Sequence, residues 1–458
     1  MFKKITNGCV NLVNRLLPDA FIFCIILTII VFVAAMPATG QGPVSMMVHW
    51  GKGAWSLLGF SMQMALVLVL GNAFATAPAI KNGLTRLAAI PKGPSSAIIL
   101  VTAVSTICCW LNWGFGLVVG AIFAKEIAKR RRDTDYRLLI ASAYSGFVVW
   151  HAGLSGSIPL DIATLTDAVV AKTGGTLEAS VPISETILSG WNILICLAIL
   201  IIMPLVNAKM HPAKDEVIAI DPALLAEEEP PKAFEGKRTP AQAMEGSVVL
   251  SIIVFALGLG YTIYWFAKGN SLDLNSVNLI FLWLGIIFHK TPINYVRAID
   301  DAVKGAGGVI LQFPFYAGIM GMMTGANPDT GASLAGVISN GFVAISTPVT
   351  FPLFAFLSAG IVNFFVPSGG GQWTVQGPII MPAGVAIGVK PAISAMGIAW
   401  GDAWTNLLQP FWALPALGIA KLSARDIMGY CLVDLIVTGV IICIGFIIVG
   451  LTGISAIV

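Results

Sequence analysis

The chain has 458 residues, of which 57% are hydrophobic and only 11% charged, and its mean hydropathy is +0.87. Such a composition excludes an ordinary water-soluble domain and predicts an all-α polytopic membrane protein, because helices satisfy every backbone polar group within one segment. The net charge of +3 is small and its Lys and Arg sit between apolar runs, so they give nucleic acid no binding face and report topology instead.

Lys3, Lys4 and Arg15 precede the first apolar run, 20–35, which predicts a retained first helix with a cytoplasmic N-terminus rather than a cleaved signal. A loop at 36–48 lacks Lys and Arg, and the span 55–77 returns to Lys81, Arg86 and Lys92. Segment 97–128 is basic at both ends and is interrupted at Asn112-Trp113-Gly114-Phe115-Gly116. A segment that begins and ends on one side with a Gly-rich break midway predicts a re-entrant hairpin, with two short full spans as the alternative. The span 138–170 carries its own break at Gly153-Leu154-Ser155-Gly156-Ser157-Ile158-Pro159, and an acidic loop and a span ending at Val206 complete a first membrane half, 1–208.

Residues 209–246, with Glu227-Glu228-Glu229-Pro230-Pro231, predict a cytoplasmic linker. In the second half, 247–458, the run 248–266 leads out, 277–288 returns to His289, Lys290, Arg297 and Lys304, and 309–323 leads out again. Segment 351–389 predicts a second hairpin, around Val366-Pro367-Ser368-Gly369-Gly370-Gly371-Gln372-Trp373, entering from outside. A broken helix at 392–420 returns to Lys421 and Arg425, and a last span leaves the C-terminus outside. The expected total is nine spans and two hairpins. Seven cysteines lie mostly in apolar stretches with no CxxC spacing and no clustered His, which predicts reduced packing residues and no cofactor.

The halves align at one offset of 251 residues: Asn112 with Asn363, Gly120 with Gly371, Gly146 with Gly397, Ala152 with Ala403 and Pro159 with Pro410. With opposite charge topology, this predicts an inverted-repeat secondary transporter having two re-entrant hairpins and two broken helices. Non-helical backbone survives at membrane depth only when buried in protein or lining a wet cavity, so paired breaks point to a midplane site.

Asn112 and Asn363, each expected at a hairpin tip, offer an amide oxygen and an amide donor, as candidate sodium ligands and coupling groups or as caps of their own helices. Ser368, Gly369, Gly370, Gly371 and Gln372 form a small-residue loop whose amides suit a carboxylate, or a conformational hinge. Ser155 and Ser157 before Pro159, and Thr405, Asn406 and Gln409 around Pro410, complete the expected substrate pocket, with Trp113, Trp373, Trp404 and Trp412 as its walls or as packing. Gln63 and Gln312 are expected as ligands or as polar contacts between helices. Charge inside a membrane is costly, so Asp402 and its counterpart His151 are candidates for proton coupling or for a structural hydrogen bond, whereas Asp434 is expected to pack or snorkel. Neither break carries Lys or Arg, which favours a small monocarboxylate over a dicarboxylate or phosphate.

Asn112-Trp113-Gly114-Phe115-Gly116-Leu117-Val118-Val119-Gly120-Ala121, Val366-Pro367-Ser368-Gly369-Gly370-Gly371 and Gln409-Pro410-Phe411-Trp412-Ala413-Leu414-Pro415-Ala416-Leu417 resemble the short-chain fatty acid transporter family. The resemblance runs from Leu17-Pro18-Asp19 to Arg425-Asp426-Ile427-Met428-Gly429-Tyr430. It implies uptake of butyrate or acetoacetate by a carrier of the bacterial inner membrane, coupled to a proton or sodium ion, and by wider analogy an elevator-like scaffold plus transport domain in a homodimer. A sodium/proton antiporter, or a carrier of another small organic anion, is the alternative. An enzyme finds no HExxH, GxSxG or metal cluster in the sequence, and a channel has no need of oppositely oriented hairpins.

Overall fold

The computed structural model describes residues 2–16, 20–164, 166–222, 239–270, 274–304 and 306–457, and among these the chain is helical with no extended sheet. The first helices are α1 Phe2–Leu16, α2 Ala20–Thr39, α3 Pro43–Ala54, α4 Leu58–Thr76, α5 Pro78–Leu87, α6 Pro94–Leu111, α7 Trp113–Arg130, α8 Tyr136–Ser145, α9 Ser157–Ala163, α10 Asp167–Lys172 and α11 Gly190–Lys209. They are followed by α12 Pro240–Glu245, α13 Val248–Ala267, α14 Leu274–Phe288, α15 Pro292–Val303, α16 Gly307–Thr324, α17 Leu334–Ala344, α18 Phe351–Phe365, α19 Gly369–Ala386, α20 Pro391–Thr405, α21 Pro410–Ala420 and α22 Ala424–Leu451. Two 3-10 segments, Gly146–Ala152 and Asn406–Leu408, prolong α8 and α20.

Six stretches among the described residues are long and apolar enough to cross a bilayer: Phe21–Thr39, Pro94–Leu111, Tyr136–Ala163, Gly190–Lys209, Val248–Ala267 and Ala424–Leu451. The spans expected near 55–77, 277–288 and 309–323 are shorter apolar helices. Large apolar side chains point outward, with Leu257 71%, Leu194 68% and Val249 64% exposed, which suits a lipid-facing surface and no aqueous one.

Small residues set the closest helix crossings. Helices α6 and α7 fold back on one another about Asn112, and a Cβ added at Gly116 would fall 2.4 Å from the Cys109 nitrogen, one at Gly120 2.7 Å from the Ser105 hydroxyl. At the α18–α20 crossing a Cβ on Gly401 would lie 2.4 Å from the Phe356 carbonyl oxygen. Close approach of this kind drives helix association in lipid, where the hydrophobic effect between helices is absent. Helices α18 and α19 form a second folded-back pair, joined by a hydrogen bond from Gln372 Nε2 to the Ala359 carbonyl (2.8 Å).

Two large apolar cores result among the described residues, with two smaller clusters beside them. One gathers Ile98, Leu117, Tyr144, Phe147, Phe313 and Trp412, and the other Val149, Ile162, Phe356, Met396, Trp400 and Phe446. The helix breaks lie where they meet, since Phe147 and Trp150 belong to the first core and Val148, Val149 and Ala152 to the second.

Three expectations are corrected. The broken helix expected over 138–170 ends at Ala163, and the residues beyond start a separate helix, α10, whose N-cap Thr166 accepts from the Val169 amide (3.3 Å). Asn363 is not in the second turn: it lies inside the last part of α18, and the turn is 366–368. The linker begins as packed chain, because the Ile218 amide donates to Asp135 Oδ2 (3.0 Å) and the Tyr136 amide to the Ile218 carbonyl (2.8 Å). Its Glu227-Glu228-Glu229-Pro230-Pro231 stretch, like Leu17-Pro18-Asp19, lies outside the described residues.

Candidate functional site

The first turn is capped from within. Asn112, in extended conformation, ends α6, and its Oδ1 accepts from the Phe115 amide (2.9 Å) to start α7. In the second turn Ser368 does this work, accepting from the Gly371 amide (3.3 Å). By role, then, Asn112 corresponds to Ser368, five residues past the position that the sequence offset pairs with it.

The first break is seated on the first turn. Gly153 admits the Trp110 carbonyl oxygen where a Cβ would come within 2.2 Å, that oxygen accepts from the Leu154 amide (2.8 Å), and the Trp113 amide donates to Ser155 Oγ (3.0 Å). The second break is seated on the second hairpin. Asn363 Nδ2 donates to the Asp402 carbonyl (2.7 Å) and to Thr405 Oγ1 (2.9 Å), and Gln409 Nε2 donates to the Asn363 carbonyl.

His151 and Asp402 join the two. Both are fully buried, and His151 Nδ1 lies 2.8 Å from Asp402 Oδ2. The Ile158 amide donates to His151 Nε2 (3.1 Å), and Ser157 Oγ lies 2.9 Å from the same nitrogen. A nitrogen that accepts an amide N–H carries no proton, so the proton of the imidazole is on Nδ1, which donates to Asp402. Asp402 Oδ1 has no hydrogen-bond partner among the described residues; neither do Asn363 Oδ1 and Gln372 Oε1. The imidazole stacks on Trp150 at 4.0 Å and is covered by Gly369, where a Cβ would fall 2.7 Å from Cε1.

Aromatic rings wall one side. Trp113 lies 5.3 Å from Trp412 and 5.9 Å from Trp150 between ring centroids, with Phe147 5.2 Å from Trp412. Trp150 also donates to Asn406 Oδ1 (3.2 Å), and the Tyr144 hydroxyl donates to the Asn406 carbonyl. Trp150, Tyr144 and Phe147 were missed from sequence; the signal for Trp150 was its place beside His151 ahead of the Gly-rich break.

Of the residues expected at the site, Trp113, His151, Ser155, Ser157, Asn363, Gly369, Asp402, Thr405, Asn406 and Gln409 come together by these contacts, and Asn112 adjoins them. Gly370 is open, with nothing within 4 Å of a Cβ built on it. Gly371 faces Met320 of α16 instead, and Gln372 turns into the hairpin to donate to Gln376 Oε1 (2.6 Å). Trp373 donates to Asp161 Oδ2 (2.9 Å) and Trp404 to the Leu435 carbonyl (2.7 Å), so neither joins the aromatic wall. Gln63 bridges α4 and α14 by donating to Asn275 Oδ1 (2.7 Å), and Gln312 is buried on α16.

Four helix N-termini meet around the pair: α7 at Trp113, α9 at Ser157, α19 at Gly369 and α21 at Pro410. Several of their first-turn amides are already bonded, Trp113 to Ser155, Phe115 to Asn112, Ile158 to His151 and Gly371 to Ser368, and Pro410 has none, so what the ends bring together is positive dipole with the amides of Gly369 and Gly370 and no fixed cation.

Comparison with known proteins covers nearly the whole chain. The family model described as short chain fatty acid transporter matches residues 1–449. A relative from Escherichia coli (strain K12), provisionally named a short-chain fatty acid transporter, is 44% identical over 97% of this chain and 99% of its own. One of the same provisional name from Haemophilus influenzae is 44% identical over 97% and 99%. Among solved structures, the YdaH transporter of Alcanivorax borkumensis is a distant likeness, 14% identical with a TM-score of 0.42 over 95% of this chain and 98% of that one. With a family model and two relatives in agreement across nearly every helix, the chain is a multi-pass membrane protein that belongs to the short-chain fatty acid transporter family.

Proposed function

We propose that this chain imports short-chain monocarboxylates such as butyrate or acetoacetate by symport with a cation, as a secondary carrier of the bacterial inner membrane. The observation that carries this reading is the meeting of four helix N-termini around His151 and Asp402 with no Lys or Arg bonded to the site. A single carboxylate is satisfied there by backbone amides; those of Gly369 and Gly370 lie ahead of the first intrahelical bond of α19, from the Gln372 amide to the Ser368 carbonyl. Trp113, Trp150 and Trp412 supply an apolar wall for a short acyl chain.

Under this reading the pairs α6–α7 and α18–α19 are the re-entrant hairpins of two inverted repeats, 1–208 and 247–458, joined by a cytoplasmic linker, 209–246. They move with the broken helices as an elevator-like transport domain against a scaffold, in a homodimer with cytoplasmic N-termini. The buried His151–Asp402 pair favours the proton as coupling ion. The alternative, sodium at Asn363 and Asp402, draws on the two oxygens without donors, Asn363 Oδ1 and Asp402 Oδ1.

Purified protein in liposomes is expected to exchange and accumulate labelled butyrate. Uptake by Asn363→Ala and Asn406→Ala equal to wild type overturns the site, and uptake under a sodium gradient alone compared with a proton gradient alone decides the coupling ion. Sodium flux driven by pH without any monocarboxylate uptake would identify an antiporter instead.

A further inference from the structure

We propose that Asp434 is a proton-binding site of this protein, separate from the His151–Asp402 pair, with Asn207 as its positioning partner. Asp434 sits on α22, a helix long and apolar enough to span the bilayer, and it is fully buried rather than snorkelled as its sequence position suggested. Among the described residues neither of its carboxylate oxygens has a hydrogen-bond partner. An ionised carboxylate buried among helices with no protein donor is costly, so the burial of Asp434 favours the neutral acid.

A second observation points to where the acid hydrogen goes. Asn207 on α11 is also fully buried; its Nδ2 donates to Thr102 Oγ1 (3.2 Å) and Ser145 Oγ (3.0 Å), while its Oδ1 has no donor. Helices α11 and α22 run antiparallel, with Ile195 against Gly445 and the Trp191 ring 5.8 Å from that of Phe446. Carried along both helices, these two contacts bring Asn207 to the level of Val433 and of Tyr430, within about one turn of Asp434. Two acceptor groups at one depth, neither with a donor, are satisfied together by one proton on Asp434, whose O–H is the missing donor.

The titratable neighbours supply no competing charge. Tyr430 and Cys431 lie one turn back on α22, with Tyr144 of α8 beside that thiol, and Arg425 and Asp426 begin the helix. Of the other elements packed on α22, α18, α21 and the 3-10 segment Asn406–Leu408 carry no titratable residue, and α20 carries only Asp402, which is bound to His151. Helices α11 and α1 carry Cys196 and Cys9 besides basic residues, Lys209 at the end of α11 and Lys3, Lys4 and Arg15 towards the ends of α1, while Tyr136 and Arg137 begin α8. Asp434 is also linked to the break: the carbonyl of the next residue, Leu435, accepts from Nε1 of Trp404 (2.7 Å), the last residue but one of α20. Under the carrier reading, a shift of α20 at the break therefore pulls on the backbone beside Asp434.

Its role in coupling rests on the carrier reading; its protonation does not. Infrared spectroscopy of the full-length purified protein at neutral pH is expected to show the C=O stretch of a protonated carboxyl that Asp434→Asn removes, Asp402→Asn retains and Asn207→Val shifts. A wild-type spectrum without that band, or a band unchanged in D434N, overturns the proposal; if D434N does not fold, Asp434→Glu is expected to shift the band without removing it, and an unshifted band overturns the proposal. In liposomes D434N is expected to keep butyrate counterflow while losing the accumulation of about tenfold per proton that an inward gradient of about one pH unit supports. Accumulation equal to wild type overturns the coupling role. Wild type that exchanges no monocarboxylate defeats the carrier reading, and the infrared band still decides on Asp434.

Discussion

Gly369 and Gly370 are neighbours in the first turn of α19, and a methyl group separates them sharply. On Gly369 the new Cβ would stand 2.7 Å from His151 Cε1, 3.0 Å from Ser157 Oγ and 3.2 Å from the Trp150 ring; on Gly370 it meets nothing within 4 Å. Neither glycine has a left-handed backbone, so the contrast is purely steric. Ala in place of Gly within a helix gains about 0.5–1 kcal/mol, whereas forcing a methyl into a packed site costs about 1–3 kcal/mol. The imidazole is held at both nitrogens and stacked on Trp150, so it does not yield, and the hairpin turn must. Gly369→Ala is thus expected to be destabilised by about 0.5–2 kcal/mol net and Gly370→Ala to be neutral or slightly stabilised. The same steric penalty of about 1–3 kcal/mol, if expressed in the substrate-bound state, lowers kcat/KM for butyrate about 5- to 150-fold. Thermal unfolding in detergent and initial uptake rates at matched protein content measure both. A G370A variant impaired as much as G369A, or a G369A variant like wild type, would refute the packing of this turn on His151.

Four further substitutions test other contacts. His151→Ala leaves Asp402 buried without its donor and is expected to destabilise the fold by about 3–5 kcal/mol, while Asp402→Asn, which still accepts from Nδ1, is expected to fold yet lose the pH dependence of uptake; equal unfolding midpoints for H151A and wild type would contradict the pair. Asn192→Ala removes the amide that donates to the Ala152 and Ile187 carbonyls and accepts from Trp400 Nε1, orphaning buried groups at about 1–3 kcal/mol each, which chemical denaturation reads. Trp373→Phe deletes only the donor to Asp161, which retains Lys172 at 3.0 Å, so a loss of about 1 kcal/mol is expected and a larger one would mean that the ring, not the bond, matters.

Features that follow from local chemistry were legible in the sequence. Breaks at Asn112, Gly153–Gly156 and Gln409 are announced by Gly and Pro, and the apolar runs mark their helices. The shared offset singled out His151 and Asp402, but not that they touch, because contact between distant segments leaves no periodicity. Asn363 misled for a related reason: an Asn before a Gly-rich turn reads as its cap, yet α18 continues past it because Ser368 provides the cap. Ile218 looked like loop because its bonds go to the Asp135 side chain and the Tyr136 backbone, contacts with no sequence pattern. Asp434 sits early in its helix, where position alone predicts an interface, and only the surrounding helices bury it.

Under the carrier reading, the attraction of the four converging helix ends for an anion is a property of peptide groups, so no proton titrates it and no single side-chain deletion erases it. It is also diffuse, which keeps it weaker than a guanidinium clamp. A binding site of that kind captures its passenger on one side of a barrier and lets go on the other without first having to break a salt bridge.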